Sequence, residues 1–208
     1  MKQITAICTI VVFSGAFLAT VGASSLTAQS LSGLHVGVSS TDLSKLGPSS
    51  GSDSYKGMAV RRWVFPNGNE LSATVGTDDK VVYIESDWNG KNADSGCDLL
   101  GLRFGVTTLS DIRKRFGSNG FGYEARGSSI ETQDGLVMMN SYAVCTSVIT
   151  FYTMIDRQEY SRVKTSTANP SPADYARLDG ISIAEESYAK SEWGDRVYDP
   201  AYKKVDWK

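Results

Sequence analysis

The sequence predicts an α+β fold made of two tandem repeats, each a short helix packed on an antiparallel β-meander. Three observations lead to this fold class. A glycine-containing pattern recurs at a constant spacing, a helix-capping sequence follows each copy, and alternating apolar segments separated by turn signals come after each helix. The 208 residues include 20 glycines and 10 tyrosines but only 5 prolines, which favours strands and tight turns over a helical bundle.

The repeated pattern lies in residues 31–47 and 99–117. Four pairs of residues match at an offset of 68 positions: Gly33 and Gly101, Leu34 and Leu102, Gly37 and Gly105, and Val38 and Val106. Because self-similarity at a fixed spacing is typical of repeated structural units, we expect residues 31–88 and 99–187 to share one topology.

Each copy contains a signal for the start of a helix. Ser39-x-x-Asp42 and Thr108-x-x-Asp111 are capping boxes with Asp as the second member. Apolar residues at helical spacing follow, and each segment closes on a glycine able to adopt a left-handed cap: Leu43, Leu46 and Gly47 in the first copy, and Ile112, Phe116 and Gly117 in the second. The spacing predicts helices over 40–46 and 108–116.

Strand signals follow each helix. The predicted strands are Met58–Phe65, Glu70–Val75 and Val81–Trp88 in the first copy, and Leu136–Val144, Ser147–Ile155 and Ile181–Glu185 in the second. Pro66-Asn67-Gly68 is a hairpin signal between the first two. Residues 48–57 and 89–96 are predicted to be polar loops. An insertion over 156–180 contains Ser171-Pro172, a helix start that predicts a short helix over 172–178.

The N-terminal residues have the pattern of a secretory signal peptide. A positive start at Lys2 precedes an apolar run over residues 4–18, and small residues then allow cleavage after Ala28 or Ala23. An uncleaved N-terminal anchor is the alternative. No later stretch approaches the length of a membrane span, so the protein is expected to be exported, to the periplasm or outside the cell. The chain therefore divides into residues 1–28, two repeats over 29–96 and 97–190, and an aromatic tail over 191–208.

Cysteine usage agrees with export. Cys8 lies inside the signal peptide, too far from either cleavage site to accept a lipid, so we expect no lipid anchor. Cys97 and Cys145 remain, and two cysteines in an oxidising compartment most simply pair. The disulfide would close a loop of about 48 residues and contribute roughly 4 kcal/mol in the loop-entropy description. Two unpaired buried thiols are the alternative.

Composition excludes several classes of function. A net charge of −2 gives no reason to expect nucleic acid as a partner. One histidine, His35, removes most metal sites and most Ser/His or Cys/His catalytic schemes, so we expect no metal, no cofactor and no catalytic residue of these kinds. Gly117–Gly122 is glycine-rich but lacks the lysine of a phosphate-binding loop. Adjacent Glu185 and Glu186 would face opposite ways on a strand.

Alternation along the strands separates two faces of the predicted sheet. One face, expected against the helices, carries apolar residues: Leu71, Ala73, Val75, Val82, Ile84, Ile149, Phe151 and Ile155. The opposite face carries Ser72, Thr74, Tyr83, Glu85, Thr150 and Tyr152. Arg61 and Trp63 are assigned to this second face, although their strand is apolar on both sides. Arg61, Trp63, Tyr83 and Tyr152 are thus the predicted binding residues, since Tyr, Trp and Arg dominate binding hot spots. The alternative is that Trp63 and Tyr83 only cover the edge of the core.

The two units resemble a known module. The pattern glycine–hydrophobic–Ser/Thr, then spaced hydrophobic residues and a closing glycine before a β-meander, resembles the SmpA/OmlA outer-membrane assembly lipoproteins, and its duplication resembles the β-lactamase inhibitory proteins. The resemblance covers 31–88 and 99–187. It implies a non-enzymatic protein-binding scaffold whose sheet is the recognition face. The lipid-acceptor cysteine of the lipoproteins is missing here, and so is one local disulfide per repeat.

Together these features predict an exported, non-enzymatic module that binds an envelope or extracellular protein through the open face of its β-sheet. One alternative is a periplasmic hydrolase of cell-wall glycan that uses carboxylates dispersed in the sequence. Two convergent carboxylates with raised pKa values in a cleft would favour that enzyme. A purely structural envelope protein is the third possibility.

Overall fold

A computed structural model describes residues 30–91, 99–200 and 202–203. The predicted signal peptide, Cys97 and residues 204–208 lie outside the described residues. The described chain forms one ten-stranded sheet in which every pairing between named strands is antiparallel. A large antiparallel sheet with few helices confirms the predicted α+β class.

The strands and helices have the following bounds. The strands are β1 (Gly51–Tyr55), β2 (Met58–Val64), β3 (Glu70–Val75), β4 (Val81–Asp87), β5 (Phe121–Tyr123), β6 (Ser129–Glu131), β7 (Gly135–Val144), β8 (Ser147–Asp156), β9 (Arg177–Glu185) and β10 (Arg196–Tyr198). The α-helices are α1 (Leu109–Phe116), α2 (Arg157–Thr165) and α3 (Glu186–Trp193), and Ser40–Leu46 and Pro172–Asp174 are 3-10 helices.

The order of strands in the sheet is β1-β2-β3-β4-β9-β8-β7-β5-β10, with β6 beside β7. The first four strands and the later strands therefore meet at the β4–β9 ladder, where Glu85 lies opposite Ser182. Residues on either side of the meeting point are close in space but far apart in sequence.

Similar backbone contacts occur where the chain enters β4 and where it enters β9. The Gly37 N–H donates to the Val81 carbonyl at 2.7 Å, and the Gly105 N–H donates to the Leu178 carbonyl at 2.8 Å. Val81 begins β4, and Leu178 lies one residue into β9. Both glycines have a positive φ, 83° for Gly37 and 68° for Gly105, a region that favours glycine. The pairing of β3 with β4 has a register shift, and so does the pairing of β8 with β9.

The two predicted helices are capped in different ways at their N-termini. The Thr108–Asp111 capping box is confirmed, because the Thr108 side chain accepts from the Asp111 N–H and the Asp111 side chain accepts from the Thr108 N–H. Gly117 closes α1 in the predicted left-handed conformation. In the first copy, Ser39 instead accepts from the Thr41 N–H and the helix is of the 3-10 type.

The sequence interpretation of residues 48–57 as a loop was wrong, because β1 lies within them. β1 pairs with β2 through a two-residue turn at Lys56 and Gly57, whose φ angles are 49° and 79°. Both angles are positive, as the favoured tight hairpin turn requires. Because four of the five β1 residues are exposed, this edge strand has no apolar alternation to reveal it.

Two helices were missed and one was predicted too long. α2 begins after Asp156, whose side chain accepts from the Glu159 N–H and supplies a cap. α3 follows β9 directly. The predicted helix over 172–178 is only the three-residue turn Pro172–Asp174, because Arg177 and Leu178 already pair with β8 as part of β9.

The main hydrophobic core lies on one face of the sheet, beneath the 3-10 helix and α1. Its fully buried members come from the strands and from both of these helices: Leu43, Leu71, Ile84, Ile112, Ile149, Phe151, Leu178, Ile181 and Ile183. Val81 belongs to this core, whereas the predicted core residue Val82 is only half-buried. The register shift between β3 and β4 reverses the alternation there. Among the described residues, no helix is long and apolar enough to cross a membrane.

Candidate functional site

The face of the sheet opposite this core is rich in hydroxyl groups and charges. We call it the polar face, and define it by these residues of β3, β4, β8 and β9: Glu70, Ser72, Thr74, Tyr83, Glu85, Asp87, Thr150, Tyr152, Gly180 and Ser182. Their cross-strand pairings place them side by side: Ser72 lies opposite Glu85, Glu85 opposite Ser182, and Ser182 opposite Thr150. Thr150 and Ser182 are almost fully buried. On the same face, Val148 and Ala184 pack with Ala189 of α3 in a second, smaller buried apolar cluster.

Two of the four predicted binding residues meet on this face. The hydroxyl oxygens of Tyr83 and Tyr152 are 3.4 Å apart. The Tyr83 hydroxyl donates to a Glu85 carboxylate oxygen at 2.7 Å, and the Tyr152 hydroxyl is 3.2 Å from the Ser182 hydroxyl. Burial raises the pKa of both tyrosines, so both stay protonated at neutral pH.

The other two predicted binding residues, Arg61 and Trp63, lie on the opposite face, which corrects their assignment. Trp63 is 4% exposed in the core, and its indole N–H donates to the Gly47 carbonyl at 3.2 Å. Arg61 pairs with Ala73 and Trp63 with Leu71, both core residues. Because β2 is apolar on both sides, its alternation did not settle the phase, and a one-residue slip exchanges the faces.

An arginine that the sequence did not single out completes the site. Arg126 comes from the turn after β5, where the Gly127 N–H donates to the Tyr123 carbonyl at 2.7 Å. Its guanidinium carbon lies 4.8 Å from the centre of the Tyr152 ring and 4.3 Å from that of Trp193. One Nη2 hydrogen is donated to the Tyr152 hydroxyl. Arg126 is thereby held between two rings, a geometry favourable to cation–π attraction.

Helix α3 covers one end of the polar face. Tyr188 and Trp193 lie 5.6 Å and 6.0 Å from the Tyr83 ring, centre to centre. Glu192 accepts from the Tyr55 hydroxyl and from Lys56 Nζ, both at 3.0 Å, which links α3 to the β1–β2 hairpin. The predicted open face is therefore partly covered, and its uncovered part lies toward Asp87.

The uncovered part is acidic. Burial, and then the negative charges of Glu85, Asp179 and Glu70, raise the pKa of Asp87 to about 7. The Asp87 carboxylate lies over Gly180, where an added Cβ atom would come within 2.9 Å of its Oδ1. Within the described part of the chain, no lysine, arginine or histidine forms an ion pair with Asp87.

Glu85 is held differently from Asp87. Burial raises its pKa, while the hydrogen bond from Tyr83 and the positive charge of Arg126 oppose that rise. The Glu85 carboxylate therefore has a hydrogen-bond donor in Tyr83, whereas the described residues offer the Asp87 carboxylate no ion-pair partner. No three His, Cys, Asp or Glu side chains of the described ranges form a group able to hold a metal ion.

Cys145 lies in the tight turn between β7 and β8, where its side chain is exposed and forms no disulfide with another described residue. Its predicted partner Cys97 is outside the described residues, so the Cys97–Cys145 disulfide stays a prediction.

No family model matches the chain, and no curated protein does. The chain is similar in structure to an extracellular protein containing an SCP domain from Bacillus anthracis str. Ames, with 12% sequence identity and a TM-score of 0.48. The match covers 81% of this chain and 50% of that one, so this chain spans about half the length of that protein.

Proposed function

We propose that the chain is a non-enzymatic protein-binding module and that it binds its partner through the uncovered, acidic part of the polar face. The observation that carries this proposal is the burial of the Asp87 carboxylate without a neighbouring cation in the described chain. The carboxylate is largely removed from water among three other carboxylates. Such a group destabilises the isolated protein when it is ionised.

A partner that supplies a lysine or an arginine would remove this cost. A cation placed next to Asp87 would restore its charged form, and the loss of like-charge repulsion would add to the affinity. The partner we propose is therefore an envelope or extracellular protein with a basic side chain at the centre of its interface.

The aromatic part of the polar face suits the same function. Tyr152 is held by Arg126 and Ser182, so little side-chain freedom remains to be lost when a partner docks. Tyr and Arg side chains fixed beside a half-buried charge are typical of interface hot spots. Exposed Arg62 and Val64, on the same face of β2, extend the surface.

The experiment is a selection of random displayed peptides on the immobilised protein, followed by affinity measurement with a synthetic peptide from the enriched pool. We expect enriched peptides to contain Lys or Arg beside apolar residues. Asp87→Asn should weaken their binding about tenfold or more, since a desolvated charge pair is lost.

The matched control is Asp78→Asn, which removes an exposed carboxylate from the β3–β4 turn. It should leave the affinity unchanged. Peptides that bind the Asp87→Asn variant as well as the original chain would contradict the proposal, as would a selection that enriches no basic peptide.

The glycan hydrolase is the second candidate, and the raised pKa values of Asp87 and Glu85 favour it. A neutral carboxylic acid near pH 7 is suited to general-acid catalysis. However, the Glu85 carboxylate is engaged by Tyr83, the residue on the side away from Asp87. Release of soluble fragments from labelled peptidoglycan tests it: release that disappears in Asp87→Asn would replace the binding function with hydrolysis.

We further propose that the two halves are copies of one unit, as the resemblance to the β-lactamase inhibitory proteins implies. The matched glycine contacts at Gly37 and Gly105, and the register shifts before β4 and β9, support this proposal.

Export and the Cys97–Cys145 disulfide are proposed on the sequence pattern. In protein recovered from the native compartment, we expect an N-terminus at Ser24 or Gln29 and a mass two hydrogens below that of the reduced chain. Two alkylatable thiols would contradict the disulfide, and an intact N-terminus would contradict cleavage.

A further inference from the structure

The chain contains three Asn-Gly pairs: Asn67-Gly68, Asn89-Gly90 and Asn119-Gly120. In such a pair the glycine backbone nitrogen can attack the side-chain carbonyl carbon of the asparagine, because glycine has no side chain to hinder the approach. The reaction modifies the chain without an enzyme or a cofactor. In a folded protein its rate depends on whether the attacking nitrogen is held by a hydrogen bond, and the three pairs differ on this point.

At two of the pairs the attacking nitrogen is held. The Gly68 N–H donates to the Phe65 carbonyl at 2.8 Å, in the turn between β2 and β3. The Gly120 N–H donates to the Ser118 hydroxyl at 3.2 Å, and Gly120 is buried. A Cβ atom at Gly120 would lie 2.7 Å from the Ser141 carbonyl oxygen, so the backbone is tightly packed there. Both nitrogens must lose a hydrogen bond before they can react.

The Gly90 nitrogen is not held in this way. Gly90 is exposed, and its N–H donates no hydrogen bond within the described ranges. Apart from its chain neighbours, no atom lies within 4 Å of the position that a Cβ atom would take. Its φ of 75° is one that glycine adopts without strain. The Gly90 backbone can therefore rotate toward the geometry of attack without losing a hydrogen bond of its own.

The side chain of Asn89 is folded back over the same segment. Its Oδ1 accepts from the Lys91 N–H at 2.8 Å, which forms an Asx turn. This turn keeps the Asn89 carbonyl carbon beside the peptide whose nitrogen would attack it. The hydrogen bond also draws electron density from the carbonyl oxygen, which makes the carbon a better target for a nucleophile.

From these contacts we infer that Asn89 is a site of spontaneous deamidation, through a cyclic imide formed with Gly90. The Gly90 nitrogen forms a bond to the Asn89 carbonyl carbon, and the bond from that carbon to Nδ2 breaks. Nδ2 leaves as ammonia with the proton of the Gly90 amide, and water then opens the imide at either of its carbonyl carbons. The product is an aspartate or an isoaspartate at position 89. The site is independent of the proposed protein-binding function.

The modification should change the contact between two turns. Asn89 Nδ2 donates to the Asn67 carbonyl, and the Asn89 N–H donates to Asn69 Oδ1 at 3.2 Å. An ionised carboxylate has no hydrogen to donate and would face the Asn67 carbonyl as a second acceptor. We therefore expect the β2–β3 turn to loosen in the product, which also carries a new negative charge two residues beyond Asp87.

Incubation of the purified whole chain at mildly alkaline pH, followed by peptide mass spectrometry, tests the inference. The same incubation in concentrated urea is the matched control, because the hydrogen bonds of the fold are lost there. Each pair's rate in the folded chain is divided by its rate in urea. Since a hydrogen bond contributes about 1 kcal/mol, this ratio should be about fivefold higher at Asn89 than at Asn67 or Asn119.

Two further measurements identify the reaction. Fragmentation of the modified peptide should show isoaspartate beside aspartate at position 89, which direct hydrolysis of the side chain would not give. Amide exchange at Gly68 should accelerate in the modified fraction. Asn89→Gln keeps a side-chain amide but would need a larger ring, so it should remove the modification at position 89 and leave the rate at Asn119 unchanged.

A folded-to-urea ratio at Asn89 no higher than those at Asn67 and Asn119 would overturn the inference. So would a product that contains aspartate alone, because no cyclic imide would then have formed. A folding failure of Asn89→Gln affects neither result, since both are measured on the original chain.

Discussion

Two neighbouring rows of residues run across β4, β9, β8 and β7, one on each face of the sheet, and they differ in the chemistry of their side chains. In the core row, Ile84 lies opposite Ile183, Ile183 opposite Ile149, and Ile149 opposite Tyr142. One residue further on and on the other face, Glu85, Ser182, Thr150 and Ser141 pair in the same order. The first row is stabilised by buried apolar surface.

The second row depends on hydrogen bonds between side chains. Ser141 and Thr150 hydroxyls lie 2.8 Å apart, and Glu85 accepts from Tyr83. Each such hydrogen bond adds only about 1 kcal/mol net, so the second row contributes less to stability than the first. The comparison shows that the main core lies on one face of these strands, while the other face pairs its buried polar side chains with one another and is covered in part by α3.

The largest expected effect is on the core face. Trp63→Ala should lower the free energy of unfolding by about 3–5 kcal/mol, because it removes a buried ring and leaves a cavity. The measurement is denaturant unfolding followed by circular dichroism. Val64→Ala is the control: it is the next residue, on the polar face and 57% exposed, and should change stability by less than about 0.5 kcal/mol. Equal effects of both variants would remove the distinction between the faces at β2.

On the polar face, Arg126→Ala should lower the free energy of unfolding by about 2 kcal/mol. It removes a cation held between the Tyr152 and Trp193 rings and a hydrogen bond to Tyr152. Thermal and denaturant unfolding measure the loss, and Arg62→Ala, an exposed arginine of the same face, should be near neutral. If Arg126→Ala is neutral as well, the Arg126 cluster does not stabilise the polar face.

Asp87→Asn should stabilise the protein, in contrast to the two previous variants, and only at neutral and higher pH. The folded state holds the pKa of Asp87 near 7, above its ordinary value, so ionisation costs more in the folded than in the unfolded chain. The ionised Asp87 carboxylate lowers the free energy of unfolding; this loss is absent below about pH 4, grows up to about pH 7 and is constant above it. Asp87→Asn should therefore raise the free energy of unfolding by about 1–2 kcal/mol at pH 8 and by almost nothing at pH 4. Unfolding curves at both pH values measure this, and a gain of equal size at both would exclude the titration of Asp87 as its cause.

The smallest effect concerns the contact between the β1–β2 hairpin and α3. Tyr55→Phe removes the hydroxyl that donates to Glu192 and should lower stability by about 0.5 kcal/mol. Hydrogen exchange of the β1–β2 hairpin is the more sensitive measurement, and it should accelerate. Unchanged exchange would mean that the hairpin is held by its strand pairing alone.

The sequence predicted the parts of this molecule that local patterns determine. Thr108 and Asp111 form the expected cap, and Leu71, Ala73 and Ile84 face the core, because capping and alternation act over a few residues. Tyr83 and Tyr152 were correctly assigned to one face, although the alternation did not reveal that α3 covers Tyr83.

The remaining features depend on tertiary contacts. The phase of β2 is decided by its pairing with β3, since Val60, Trp63 and Val64 make both of its sides apolar. Arg126 lies in a short turn with no signal of its own and gains its role only from the rings of Tyr152 and Trp193. The raised pKa of Asp87 likewise arises from its burial in the folded chain, and then from the charges of Glu85 and of Asp179, which lies far along the chain.

The β4–β9 ladder has a consequence for the synthesis of the protein. Tyr83 pairs with Ala184, about a hundred residues further along the chain. Until those later residues have left the ribosome, β4 is an unprotected strand edge that can pair with any other extended chain. The first half therefore cannot complete its sheet before the second half has been synthesised, and during that interval its edge is open to pairing with another copy of itself.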